Sequence, residues 1–158
     1  MHFTVYSEKE MQGLGAKLAQ VLQPGDVVYL LGNLGAGKTT LVRGFARACA
    51  YTGRVTSPTF TLMNIYETDP PIYHFDFYRL ESTDLSDLGL EDYLERAGIS
   101  FIEWPELGKG SLPQEALVVS ISLTDDDYDR ERQVEIYARG DQYEKRLEGL
   151  IQYVTAGD

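Results

Sequence analysis

Residues 27–43 read VVYLLGNLGAGKTTLVR, an apolar run, a glycine-rich turn and then a helical pattern, and this stretch constrains the fold more than any other. Gly32, Gly37, Lys38 and Thr39 match G-x-x-x-x-G-K-[ST], the phosphate-binding P-loop. A polyphosphate must be wrapped by backbone N–H groups, so the chain has to come close at Gly32, Gly35 and Gly37, where no Cβ intervenes. Asn33, Leu34 and Ala36 complete the loop and Thr40 carries it into a helix whose positive dipole end faces the phosphates. Lys38 supplies a mobile positive charge for the β- and γ-phosphates, and the Thr39 hydroxyl offers one ligand to a Mg²⁺ ion otherwise held by water and phosphate oxygens. The context fits: five apolar residues from Val27 read as a buried parallel strand, and Leu41, Val42, Phe45, Ala46 and Cys49 recur at helical spacing. A nucleoside triphosphate site is the direct inference, with Lys38 outside the apolar core.

At 158 residues the chain fits a single domain, 1–158, long enough to bury a core without metals or disulfides. No apolar run approaches a membrane span, the first residues lack a basic segment followed by an apolar one, and the one cysteine, Cys49, has no partner; these features predict a cytoplasmic protein with no membrane association. Twenty-five acidic against 14 basic residues, a net charge of −11, argue against a large footprint for nucleic acid. Two histidines and one cysteine are too few for a zinc cluster.

Along the chain, residues 3–6 predict a short strand, and Ser7-Glu8-Lys9-Glu10 a capping box opening a helix with Met11, Leu14, Leu18, Val21 and Leu22 on one face. The P-loop helix is expected to close at Gly53. Thr56-Ser57-Pro58-Thr59 is a hydroxyl-rich loop before a strand at 60–66, where either a nucleotide-sensing switch or a plain turn fits. Residues 72–77 and 99–103 read as interior strands ending near Asp76 and Glu103. In open parallel sheets ligands collect at the carboxyl ends of strands, which brings both carboxylates to the P-loop. There Asp76 could hold Mg²⁺, directly or through water, or orient an attacking water, while Glu103 joins Thr39 on the metal. His74 shares a strand face with Asp76 and reads as a satisfied, semi-buried histidine. Residues 82–98 predict one or two short helices ended by Gly98. Residues 117–123 and 133–138 predict an antiparallel hairpin at the sheet edge around a solvated acidic turn, and 141–154 a packing helix with Tyr143, Leu147, Leu150, Ile151 and Val154 on one side. The fold expected is α/β, a P-loop NTPase-type three-layer sandwich with a mostly parallel central sheet and a C-terminal antiparallel hairpin.

LGAKLA, GNLGAGKTT, SPTFTL, YHFDFYRL and FIEWPE together resemble one family over nearly the whole chain, the bacterial ATPase component of tRNA threonylcarbamoyladenosine biosynthesis, TsaE. Many families share the P-loop, whereas FDFYRL and IEWPE at this spacing are specific. The resemblance implies a single P-loop ATPase domain that binds and hydrolyses ATP with Mg²⁺. It also implies two partner proteins, with which threonylcarbamoyl is installed on adenosine-37 of tRNAs reading ANN codons, and tRNA reached only through those partners. Position by position, Lys38 and the loop glycines resemble the phosphate cradle, Thr39 and Glu103 the Mg²⁺ ligands, and Asp76 the essential carboxylate of the HFD segment. Glu8 and Arg130 resemble further nucleotide contacts, with Arg132 the alternative to Arg130 in DRERQV; where this loop has Asn33 the family often has Asp.

Two other functions fit a P-loop of this size. A small-molecule kinase usually carries an arginine-rich lid, and here Arg43, Arg47, Arg79 and Arg96 are scattered between elements. A non-catalytic nucleotide-gated adaptor would use the same site to bind ATP and switch conformation with negligible turnover. On the family reading, ATP binding and release change affinity for the partner pair, with residues 56–59 and the region around Trp104 as transmitters. A GTPase would need a guanine-reading N-K-x-D segment, which the sequence lacks.

Overall fold

In the computed structural model, which describes residues 1–59, 61–78, 89–108 and 112–156, the chain runs β1 (His2–Val5), α1 (Glu8–Leu18), β2 (Val27–Leu31), α2 (Lys38–Ala48), β3 (Met63–Tyr66), β4 (Ile72–Asp76), α3 (Leu90–Glu95), β5 (Ile99–Glu103), β6 (Ala116–Thr124), β7 (Asp127–Arg139) and α4 (Asp141–Ala156). Among these residues the strands form one seven-stranded sheet in the order β1-β7-β6-β2-β5-β4-β3. The four central strands, β6, β2, β5 and β4, are parallel. The outer pairings β3–β4, β6–β7 and β1–β7 are antiparallel. Strand β2 thus has β5 on one side and β6 on the other, a topological switch point at the carboxyl end where the P-loop begins.

Alternation sorts each central strand onto two faces. Val28 and Leu30 of β2, Phe101 of β5 and Leu117 and Val119 of β6 face one core with Leu18 of α1, Leu41 and Phe45 of α2 and Leu150 of α4. Val27, Tyr29, Phe75, Ile102 and Val118 face the other, with Leu90 of α3. The layers are unequal, three helices on one face against the six-residue α3 on the other among the described residues. Each fully buried Leu or Phe contributes about 1.5–3 kcal/mol. Helices α1 and α2 cross closely because both carry glycine at the crossing: a Cβ on Gly15 would meet the Leu41 carbonyl oxygen at 2.1 Å, and one on Gly44 the Gln12 carbonyl oxygen at 2.1 Å.

Several boundaries differ from the sequence expectation. Helix α1 begins as read, with the Ser7 hydroxyl accepting from Glu10 N at 3.1 Å and the Glu10 carboxylate accepting from Tyr6 N. It ends at Leu18, so Val21 and Leu22 are buried beyond the helix. Helix α2 stops before Gly53: Ala50 takes the left-handed conformation (φ 67°), while Ala50 N and Tyr51 N donate to the Arg47 and Ala46 carbonyls, a Schellman ending. Strand β3 starts at Met63, and Phe60 lies outside the described residues. Of the helical segment read at 82–98, residues 82–88 also lie outside them. Helix α3 ends at Glu95, short of Gly98, because Arg96 is extended. The hairpin's first strand is interior, hydrogen-bonded to β2 along residues 117–120, and β1 closes the sheet edge. Its turn is only Asp125-Asp126, both left-handed (φ 52° and 54°), so residues 127–132 are strand. On α4, Tyr143 and Leu150 are buried whereas Ile151 is exposed.

Candidate functional site

The P-loop spans the gap between the end of β2 and the start of α2, with Gly32, Gly35 and Gly37 at φ 151°, 80° and 120°, values that L side chains rarely adopt. Helix α2 opens with Gly37 as N-cap, no side-chain cap and no acidic residue in its first turn. Its N-terminal N–H groups and dipole are therefore open to an acceptor from outside the helix. The loop is braced from behind by β7, where the Tyr128 hydroxyl donates to Leu34 O at 3.0 Å and Arg132 Nε to Ala36 O at 3.2 Å. The acidic stretch read as a solvated turn is in fact the strand that grips the loop. The signal was the i, i+2, i+4 spacing of Tyr128, Arg130 and Arg132, which places all three on one strand face.

Lys38 is buried, 4% exposed, yet it belongs to neither apolar cluster, in line with the expectation that it lies outside the apolar core. Its ammonium donates to Gly32 O at 2.6 Å, lies 3.6 Å from Glu103 Oε1 and rests 4.6 Å from the Trp104 ring centroid. Burial pushes its pKa down, and Glu103 and Asp76 partly offset that. Asp76 and Glu103 are register partners on adjacent parallel strands, at their carboxyl ends, and both are buried. Asp76 Oδ2 accepts from the Thr59 hydroxyl at 2.8 Å and Oδ1 from Tyr78 N at 2.8 Å. Glu103 Oε2 lies 2.5 Å from His74 Nε2. His74 is fully buried rather than semi-buried, and its ring reaches Glu103, a link that alternation along β4 alone did not reveal. Trp104, next along the chain, is left-handed (φ 58°), packs on Tyr78 with ring centroids 5.0 Å apart and planes inclined at 47°, and among the described residues its indole N–H is buried without an acceptor.

On the far side of the P-loop from the carboxylates is a cavity of about 270 Å³ lined by Tyr6, Glu8, Gly35, Thr40, Arg130 and Arg132, among others. The α1 N-terminus, the P-loop and β7 thus bring Glu8, Thr40 and Arg130 to one concavity. Arg132 is committed to the carbonyls of Ala36, Tyr128 and Arg130, whereas among the described residues Arg130 makes only surface pairs with Asp125 and Glu131, which hold a side chain weakly. Gly32 and Asn33 line a second hollow beside Asp126, and Leu34 projects outward.

For a metal, the described residues hold no cluster of three or more His, Cys, Asp or Glu side chains. Mg²⁺ does not need one, because it keeps waters and substrate oxygens and takes one or two protein ligands. The Thr39 hydroxyl makes no hydrogen bond among the described residues, and Glu103 Oε1 has only the 3.6 Å ion pair, beyond hydrogen-bond length. Thr39 and Glu103 do not bond each other directly, yet both adjoin Lys38, one by sequence and one by the ion pair. These are hard oxygen donors with spare capacity, which suit Mg²⁺.

A family model described as threonylcarbamoyl adenosine biosynthesis protein TsaE matches residues 5–134. The tRNA threonylcarbamoyladenosine biosynthesis protein TsaE of Bacillus subtilis is 40% identical over 146 residues, covering 92% of this chain and 90% of that one. The protein of the same name from Haemophilus influenzae is 41% identical over 139 residues, covering 84% and 85%. The crystal structure of YdiB from Bacillus subtilis superposes with a TM-score of 0.82 at 34% identity, over 97% of this chain and 95% of that chain. Match length, identity and superposition agree, and the chain belongs to the TsaE family of tRNA threonylcarbamoyladenosine biosynthesis proteins.

Proposed function

We propose that this protein binds Mg²⁺-ATP at residues 32–40 and hydrolyses it, supporting with two partner proteins the threonylcarbamoylation of adenosine-37 in tRNAs reading ANN codons. The observation that carries this reading is the meeting of an uncapped α2 N-terminus, the buried Lys38 ammonium and the register pair Asp76 and Glu103 at one end of the sheet. Residues 32–38 cradle the phosphates, and Lys38 exchanges Gly32 O for phosphate oxygens. Thr39 and Glu103 hold the metal, which when bound supplies positive charge beside the β- and γ-phosphates. Asp76, fixed by Thr59 and Tyr78, orients water near the γ-phosphate, and the nucleoside end occupies the cavity beside Glu8 and Arg130. With a net charge of −11, contact with tRNA passes through the partners.

A nucleotide-gated adaptor is the second reading, favoured by the use of Asp76 to tether Thr59 in the loop at 56–59. A lid-bearing kinase fits less well. Arg43 donates to Val55 O, Arg47 to Tyr51 O and Gly53 O, and Arg96 stacks on Tyr93, while Arg79 lies outside the described residues. Steady-state ATP turnover, measured alone and with the partner pair, tests the proposal. Hydrolysis that appears or rises with partners and disappears in Asp76→Asn supports it, and nucleotide-dependent partner binding without turnover in any mixture supports the adaptor. No helix among the described residues is long and apolar enough to cross a membrane, and a cytoplasmic location is part of the same proposal.

A further inference from the structure

The loop at 56–59 has two anchors, one on each carboxylate of the site. At one end the Thr59 hydroxyl donates to Asp76 Oδ2. At the other, the Thr56 carbonyl accepts from the Tyr66 hydroxyl at 3.1 Å, the same hydroxyl lies 3.2 Å from His74 Nδ1, and His74 Nε2 lies 2.5 Å from Glu103 Oε2. A carboxylate can only accept, so Nε2 donates to Glu103; the single Tyr66 hydroxyl proton goes to the Thr56 carbonyl, so Nδ1 donates its N–H to the Tyr66 oxygen, and the ring is oriented from both nitrogens. Tyr66 is 2% exposed and His74 0%, so water does not compete for either group. Burial raises the pKa of the Tyr66 hydroxyl, which keeps its proton for donation.

A chain of buried polar groups is an expensive way to fill space, because apolar side chains of similar volume would pack there without desolvation cost. This chain does two things that apolar packing cannot. It fixes Glu103 Oε2, which leaves Oε1 directed at Lys38, and it connects that carboxylate to the backbone of a loop on another element. We infer that His74 and Tyr66 are positioning residues that aim Glu103 and couple its occupancy by a metal-bound nucleotide to the placement of the loop at 56–59. The inference rests on the metal reading of Glu103 given above. By linkage, any protein that grips the loop then changes affinity for Mg²⁺-nucleotide by the factor with which Mg²⁺-nucleotide changes affinity for that protein.

The test uses the full chain and a non-hydrolysable ATP analogue. Calorimetry with Mg²⁺ and with EDTA gives the metal-dependent gain in affinity, and hydrogen exchange of the amides of Thr56, Ser57 and Thr59 follows the loop. In the wild type the Mg²⁺ complex slows loop exchange at least about fivefold, the low end of ordinary coupling. Tyr66→Phe keeps the ring and its packing on Tyr51, so it retains the metal-dependent gain but loses the loop response. His74→Phe loses both, the gain falling about tenfold or more as expected when the residue orienting a metal ligand is removed. His74→Gln restores an N–H toward Glu103 without reaching Tyr66, and recovers the gain but not the loop response. A purely packing role would instead lower thermal stability and leave both readouts in proportion. A full loop response in Tyr66→Phe, or equal gains in wild type and in both His74 variants, overturns the inference. If His74→Phe does not fold, Tyr66→Phe and His74→Gln decide it alone. Glu103→Gln separates the two levels: if the metal-dependent gain survives there, the metal reading fails and the coupling with it. If the gain is lost in Glu103→Gln but the relay variants behave as wild type, only the coupling fails.

Discussion

Two buried carboxylates at opposite ends of the central sheet are treated in opposite ways. Asp26, just before β2, is fully buried and accepts from Gln23 N at 2.8 Å, Gln142 Nε2 at 2.8 Å, and Arg146 Nε and Nη2 at 2.7 and 3.3 Å. Two of those partners belong to α4, and Tyr143 of the same helix accepts from Val27 N, so this end of the sheet is sealed by a saturated network. Glu103, at the other end, has His74 on one oxygen and a lysine at 3.6 Å on the other. Buried polar groups are normally satisfied, and a shortfall marks either strain or a place kept for something else. One carboxylate fastens the fold; the other is left partly unfastened at the site.

That contrast is open to direct attack. The largest effect is expected from Asp26→Ala, which strands the Arg146 guanidinium: loss of about 3–5 kcal/mol, lowering the calorimetric unfolding midpoint by about 10 °C. If Asp26→Ala costs no more than Glu103→Gln, the contrast has no energetic content. Next is Lys38→Ala, which removes the charge opposing the transferred phosphoryl group and should reduce partner-stimulated turnover about 10²–10³-fold, read by phosphate release. Its burial among polar groups, rather than in either apolar cluster, keeps the loss of thermal stability well below that of Asp26→Ala. Glu103→Gln should stay within about 1 kcal/mol of wild-type stability while losing most of the affinity that Mg²⁺ adds to nucleotide binding. An equal loss in EDTA would make Glu103 a structural group like Asp26. The smallest effect is optical. Lys38 sits over the ring of Trp104, the only tryptophan, so its departure to the phosphates should change the emission, and Lys38→Ala should abolish that change. A silent tryptophan at nucleotide concentrations shown by calorimetry to saturate would place Lys38 on the ring in both states.

What could be read from the sequence, and what could not, follows the range of each interaction. The P-loop strand and helix, and the interior strands ending in Asp76 and Glu103, are local patterns of hydrophobicity and glycine that stand on consecutive residues. The interior position of β6 was also encoded, in the near-continuous run LVVSISL, but its alternating edge-like neighbour β7 drew the whole hairpin to the periphery. Helix α2 ended on Ala50 because the Schellman bonds stabilise a left-handed residue that propensity alone assigns to glycine; Gly53 has a spatial role instead, since a Cβ there would meet the Tyr51 ring. The grip of Tyr128 and Arg132 on the P-loop spans more than 90 residues of sequence, and the relay from Thr56 to Glu103 joins four segments, the loop at 56–59, β3, β4 and β5. Alternation along β7 shows that Tyr128 and Arg132 share a face but not what that face meets, and single side chains such as His74 look ordinary until the topology brings their partners together.

The two glycines at the α1–α2 crossing extend the site's reach into tolerance of substitution. Because the backbones touch at Gly15 and Gly44, even an alanine at either position must push α1 outward, and the Ser7–Glu8 end of that helix forms one wall of the cavity beside the P-loop. A library selected for nucleotide affinity should therefore reject almost every change at these two positions as firmly as changes in the loop itself. Such a map of intolerance would outline a mechanical support and not a contact surface, and its signature would be weakened binding that neither a shorter side chain nor a restored charge repairs, because the atoms facing Gly15 and Gly44 are main chain.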